Sequence, residues 1–447
     1  MTRHTLAYFG AYSLSLLGNG IASVLFPLLV LAKTGDVLAA GIVATATTGV
    51  GAVVGVFAGV VVDRFNRRTV SVVSDVLSAA SVAALPIVDA LWGLHLTWFI
   101  VLGVIGAFGD VPGLTARESL LPRLVARQRS APHALDRLVG IREGVSGVLL
   151  IAGPGLGGLI VWLIGVSATA MWVTAATSLA AAIVSLTLPR DIGAIDTIDT
   201  DIDTGPASTR PATGTGPARV VRDLLDGWKF LFGHRLVLGA TLVSALSVAV
   251  LTALQVVILP AYFTDVDLPG LTGLVIFGIA LGSIVGAGLY SATIGRVSRR
   301  TWFVVAVCGS AIGFLALGSL AAPWVVLIAT VWIGLTNGPF SALIGVVTIE
   351  AIPDRLRGRV LGAQNAVLLA APALLVTPIA AFASGFGLAA AGLAVGALVT
   401  VVMLAALVSP AFRGLDAPAQ DRLPVAFDAT PDAGRPPGAP QSPTPEV

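Results

Sequence analysis

Two aspartates stand in runs of otherwise apolar or small residues: Asp75 between Val70 and Pro86, and Asp110 between Trp98 and Ala116. A carboxylate in such a setting is costly to keep charged, so each is a candidate to take up and release a proton. A structural role competes in both cases. Asp110 precedes Val111 and Pro112 and could satisfy a kinked backbone, while Asp75 could pair with a nearby arginine. A third acid, Asp63, opens the string Asp63, Arg64, Phe65, Asn66, Arg67, Arg68, where its charge could tie two parts of the chain together. Arginines alone would also anchor such a loop to anionic headgroups. Arg142 and Glu143 are adjacent, so they should point in different directions and pair with the preceding span rather than with each other.

Other chemistries are set aside by their missing partners. Cys308 is the single cysteine, which excludes disulfides and cysteine metal knuckles within one chain. Neither lysine, Lys33 or Lys229, ends a phosphate loop, and His4, His95, His133 and His234 form no metal or nucleophile motif. Gly153, Pro154, Gly155, Leu156, Gly157, Gly158 satisfies a dinucleotide glycine pattern, but it lies in an apolar run with no acid until Asp191. Close helix packing with a proline kink is the better reading. No enzyme, metal or cofactor is expected.

The elements that must position these residues are membrane spans. The 447-residue chain is 56% hydrophobic and 11% charged, with a mean hydropathy of +0.94, far too apolar for water. A span needs about 20 mostly apolar residues. Twelve segments qualify, near 6–32, 38–62, 69–88, 95–116, 138–163, 168–188, 237–262, 271–294, 301–320, 324–349, 360–383 and 386–409. The first is too long for a signal-peptide core and is read as a retained span. With the N-terminus inside, Lys33 alone of 26 basic residues falls outside, the asymmetry of the positive-inside rule. Both termini are then cytoplasmic. The net charge of +2 expresses topology and calls for no nucleic-acid partner.

The chain also repeats itself. Asp63 to Thr69 returns as Gly295 to Thr301, and Glu118 as Glu350, both at an offset of 232 residues. Repeated halves in an apolar chain point to secondary transporters. The expected organisation is an N-terminal six-helix bundle over 1–190, a flexible linker over 191–218, an interfacial amphipathic helix over 219–236, a second bundle over 237–412, and a disordered tail over 413–447. Gly51, Gly55 and Gly59 in the second span and Gly278, Gly282 and Gly286 in the eighth repeat a small-residue packing device.

At these residues the chain resembles the major facilitator superfamily. Gly59, Asp63, Arg64, Arg67 and Arg68 are similar to its signature between spans two and three, with Asn66 where glycine is usual, a residue that tolerates left-handed backbone. Gly153, Pro154, Gly157 and Gly158 resemble the span-five motif of drug–proton antiporters, with Leu149 where a glycine is usual. Arg117 to Pro122 and Pro353 to Val360 resemble the macrolide-efflux and enterobactin-exporter branch. The resemblance implies an all-α membrane fold of two pseudo-symmetric six-helix bundles. It implies that Asp63 meets the N-terminus of span eleven near Gly358 in one transport state, with Arg67 bridging to Glu118. It also implies a central cavity lined by spans one, four, seven and ten, with Asn19, Gln255 and Asn337 as polar candidates and Phe108 and Trp332 as apolar walls. Those three amides could equally bond between helices.

The expected function is export of a hydrophobic small molecule, such as a drug, antibiotic or siderophore, by proton antiport with alternating access. The chain would act as a monomer in the inner (plasma) membrane, with substrate, protons and bilayer as its partners. Uptake with a co-ion, a non-transporting scaffold of the same fold and a lipid scramblase are the alternatives.

Overall fold

A computed structural model describes residues 2–127, 134–193, 225, 227–353, 356–412 and 415. Twelve helices in it are long and apolar enough to span a bilayer. The first six are α1 (Arg3–Thr34), α2 (Val37–Arg64), α3 (Arg67–Leu91), α4 (Leu96–Arg127), α5 (Ala134–Ile164) and α6 (Met171–Leu186). The second six are α7 (Arg235–Asp265), α8 (Leu271–Ala292), α9 (Arg299–Gly318), α10 (Pro323–Ala351), α11 (Arg357–Phe386) and α12 (Leu388–Val408). Most of the expected linker and tail, and residues 219–224 and 226, lie outside the described residues. Residues 227–233 are helical, with Phe230 and Leu231 buried and Phe232 exposed.

Each half packs as its own bundle, with α3 on α4 and α6 in the first and α8 and α9 on α10 in the second. Small residues set how closely the helices approach. A Cβ added at Gly282 or Gly286 would stand 2.3 or 2.1 Å from the carbonyls of Val331 and Leu335 on α10. Gly334 and Gly338 answer from α10 with the same closeness to α8. The first half uses its copy more loosely: at Gly51 and Gly55 an added Cβ would meet only Val111 side-chain atoms, at 3.9 and 3.6 Å.

Seven of the helices contain an internal proline, whose missing N–H frees a carbonyl. In α7 the outcome is visible, since a π-helical turn, Leu254–Ile258, precedes Pro260. Gln255 lies in that turn. From there on α7 reaches α1 and α2, whereas Arg235–Ala253 packs on α10, α11 and α12.

The halves meet at the ends of the helices remote from the arginines. Along α2 and α11, Gly41 abuts Ala380, the Thr377 hydroxyl donates to that of Thr45 at 2.7 Å, and Gly49 approaches Ala373. Gly362 lies on the face of Ala373 three turns nearer the arginine end, and a Cβ there would meet nothing within 4 Å. The α5–α8 seam behaves alike. A Cβ at Gly158 would lie 2.5 Å from the Gly270 carbonyl and one at Gly147 would lie 4.0 Å from Ile284, while one at Gly140 would meet nothing. Gly288, five turns from Gly270 on the same face, also meets nothing. The halves therefore close at one end and flare toward the arginine end.

Candidate functional site

The arginine end is built twice from the same parts. Asn66 caps the start of α3 by accepting from the Thr69 amide at 3.2 Å, and Ser298 caps α9 by accepting from Thr301 at 3.0 Å. Asn66 has φ −55°, so it stands in place of glycine as a cap and not as the left-handed residue expected from sequence. Buried Arg68 donates to the carbonyls of Ser185 at 3.3 Å and Leu186 at 2.5 Å at the end of α6. Its repeat mate Arg300 donates to Leu407 at the end of α12 at 3.0 Å and to Phe412 in the turn beyond it at 2.9 Å. Each arginine thus supplies donors to carbonyls at or just past the end of its bundle's last helix. That accounts for their duplication more directly than headgroup anchoring does.

The acid side of the repeat is asymmetric. In the second half Arg299 grips Glu350 with both terminal guanidinium nitrogens, at 2.7 and 2.9 Å. In the first half Glu118 is exposed, and the expected Arg67–Glu118 pair is not among the ion pairs of the described residues. Exposed carboxylates are well hydrated, so little drives that contact in this conformation. Arg64 is exposed as well. Gly59 and Asp63 lie in the final turns of α2, with their side-chain surroundings outside the description. Gly295, the mate of Asp63, has φ 82°, a backbone an acid would adopt only with strain. Leu356, at the N-cap of α11, brings no capping side chain of its own.

Deeper in the first bundle, Asp75 on α3 pairs with Arg117 on α4, both almost fully buried. Arg117 also donates to the Ser15 hydroxyl on α1 at 2.9 Å, and the Tyr8 hydroxyl donates to the Arg117 carbonyl at 3.2 Å. Three helices are joined at one level by a charge pair whose second carboxylate oxygen and guanidinium Nε have no hydrogen-bond partner. Of the two roles open to Asp75, the structure displays the pairing. Arg117, Ser15 and Tyr8 were missed as a site in the sequence. The available signal was an arginine one residue past the fourth apolar run and an acid, Asp75, within the third.

Asp110 has a different setting. It opens on a cavity of about 230 Å³ inside the first bundle, shared with Asn19 on α1, Thr47 on α2, Ser78 and Ser81 on α3 and Thr174 on α6. Asp110 and Asn19 are thus brought together. Phe108 faces another way, into an apolar pocket of about 490 Å³ between α2 and α4 with Val53 and Phe57. Asn337 lines a small pocket of about 70 Å³ between α7 and α10 with Ser244 and Ser247. Trp332 does not join it as a cavity wall: its indole donates to the Gly309 carbonyl at 2.8 Å and braces α10 on α9. Arg142 and Glu143 do pair with each other, Nε to Oε1 at 3.1 Å. The long guanidinium stem curls back and overrides the divergence of adjacent positions.

The span-five glycines divide between two partners. An added Cβ at Gly153 or Gly157 would meet α1 backbone at 2.8 or 3.0 Å, while Gly158, and Pro154 through its carbonyl, meet Gly270 and Gly273 of α8. One face holds the bundle together and the other makes the seam between halves.

Two pseudo-symmetric six-helix bundles flaring at one end, with polar groups inside an apolar scaffold, define a membrane transporter of alternating-access type. The chain belongs to the Major Facilitator Superfamily, whose profile matches residues 8–375. It is a transporter and not an enzyme. It is 31% identical over 402 residues to the multidrug efflux pump Tap of Mycolicibacterium fortuitum, covering 89% of this chain and 94% of that protein. The enterobactin exporter EntS of Salmonella typhimurium is 26% identical over 411 residues, covering 87% and 90%. A mutant of the nucleoside transporter NupG superposes with a TM-score of 0.72 over 91% of this chain and 100% of that one, at 11% identity, a likeness of fold.

Proposed function

We propose that the chain exports a hydrophobic small molecule from the cytoplasm by proton antiport. The observation that carries this reading is Asp110: it is the acid that opens on a cavity in the first bundle without being neutralised by an arginine. Asp75, held by Arg117, is a structural charge, so the coupling role passes to Asp110 alone. The similarity to Tap and EntS supports outward transport of drug-like or siderophore-like compounds. The apolar pocket beside Phe57 and Phe108 suits recognition by apolar contact.

The distribution of basic residues supports a cytoplasmic location for the flared end and both termini, and this conformation is taken as the inward-facing state, with the chain acting as a monomer in the inner membrane. On closure of that end, Asp63 would reach the N-terminus of α11, whose N-cap Leu356 brings no capping side chain, with Gly59 allowing close approach of α2 and Arg67 bridging to Glu118. The bundles are taken as 1–190 and 237–412, joined by a linker over 191–218 and an interfacial helix over 219–236, with a tail over 413–447.

Proteoliposomes with an imposed pH gradient test the reading. Wild-type protein should drive substrate against proton flow, and Asp110→Asn should reduce gradient-driven transport by at least about 100-fold, the scale of losing a proton-transfer group. Binding of the same substrate should persist. Full gradient-driven transport by Asp110→Asn would overturn the assignment, transport in the same direction as the proton would favour uptake, and gradient-independent lipid movement would favour scrambling.

A further inference from the structure

We propose that the seam between α5 and α8 holds a phosphatidylethanolamine molecule, with its ammonium headgroup on Asp267. A cavity of about 650 Å³ lies beside the close approach of Gly158 to Gly270, walled by Trp162 and Leu159 of α5 and by Leu268, Leu271 and Leu274 on or before α8. The size fits part of a lipid or another drug-sized body. Asp267 is its one charged lining residue. Among the described residues its side chain makes no hydrogen bond or ion pair, and it is one of two non-glycine residues there with positive φ, at 58°. The turn that holds it there is fixed by the Asp267 amide donating to Thr264 at 3.1 Å and the Leu268 amide donating to Phe263 at 2.8 Å.

Depth selects a lipid over a dissolved ligand. Trp92, Trp98, Trp162, Trp172 and Trp324 all lie at the arginine-poor ends of their helices, the position of an aromatic belt at headgroup level. Trp162 belongs to that belt and is 77% exposed at the cavity wall. A headgroup at this level meets a carboxylate and an aromatic face, both of which attract an ammonium and neither of which suits an anionic phosphoglycerol. The acyl chains then run past Leu271 and Leu274. Because α5 and α8 belong to different bundles, such a lipid bridges the end that must part when the transporter turns over, and its occupancy favours the conformation seen here.

Native mass spectrometry of the full-length protein released from nanodiscs of equimolar phosphatidylethanolamine and phosphatidylglycerol tests this. Wild-type protein should retain phosphatidylethanolamine with about two- to five-fold preference, the range of an exposed charge pair. Asp267→Asn keeps the side-chain shape and tolerates the same φ, and should lose the preference. Leu274→Trp fills the cavity and should lose the bound lipid. No headgroup preference in the wild type, or an unchanged preference in Asp267→Asn, would overturn the proposal. So would loss in Leu274→Trp alone, since acyl packing would then act without Asp267.

Discussion

At the scale of the residue, the buried pair of Asp75 and Arg117 defines what can and cannot be substituted. The two charges are worth little more than a well-packed apolar pair while both are present, but removing one strands the other out of water. Asp75→Asn should therefore lower stability by about 3–5 kcal/mol, read as a reduced melting temperature in detergent. A double variant, Asp75→Leu with Arg117→Met, should recover most of that loss. Recovery of stability without recovery of transport would assign the pair a role in the transport cycle as well. Sequence made the acids visible because each interrupts an apolar run. It did not reveal their different fates, since those depend on Arg117 and Ser15 arriving from α4 and α1 at the level of α3. Asn66 gives the complementary case. Its place in the arginine string was evident, but a residue that can be either a left-handed turn or a helix cap is decided by where the next helix starts.

At the scale of the element, the same glycine spacing has been put to unequal use in the two halves. Gly286 lets α8 lie against the α10 backbone, so a methyl group there has nowhere to go, whereas Gly55 faces a movable valine side chain at ordinary contact distance. Gly286→Ala should destabilise the protein by about 1–3 kcal/mol, the cost of overpacking. Gly55→Ala should be neutral or stabilising by up to about 1 kcal/mol through helix propensity. Thermal unfolding of the two variants side by side checks the contrast, and equal losses would refute it. The repeat was legible because 232 residues separate matched motifs, but motif identity cannot report packing distance. That distance is set by the facing helix: Gly334 and Gly338 stand opposite Gly282 and Gly286, and α4 offers Val111 instead. The looser α2–α4 contact is also where the apolar pocket with Phe57 and Phe108 lies. The arginines follow the opposite rule, because Arg68 and Arg300 do the same work in both halves and are kept for it.

At the scale of the whole molecule, the twelve spans and the two bundles followed from hydropathy and repetition, while the conformation did not, because neither signal reports which end of the seam between the halves is closed. What distinguishes them is which end of the seam is tight, and the contacts that settle it here are between small residues: Gly41 with Ala380, Thr45 with Thr377, Gly158 with Gly273. The Thr45 and Thr377 hydroxyls, 2.7 Å apart on α2 and α11, offer a direct way to hold the closed end shut. In a Cys308→Ser background, Thr45→Cys with Thr377→Cys should form a disulfide under mild oxidation. The cross-link joins the halves where they must separate for the cleft to open at the other face, so transport should stop when it forms and return on reduction. Substrate should still reach the cleft from the flared end, which separates a blocked cycle from a collapsed protein. Continued transport by fully cross-linked molecules would mean that the halves do not part along α2 and α11, and the rocking of one bundle against the other would have to be replaced by a motion within a single bundle.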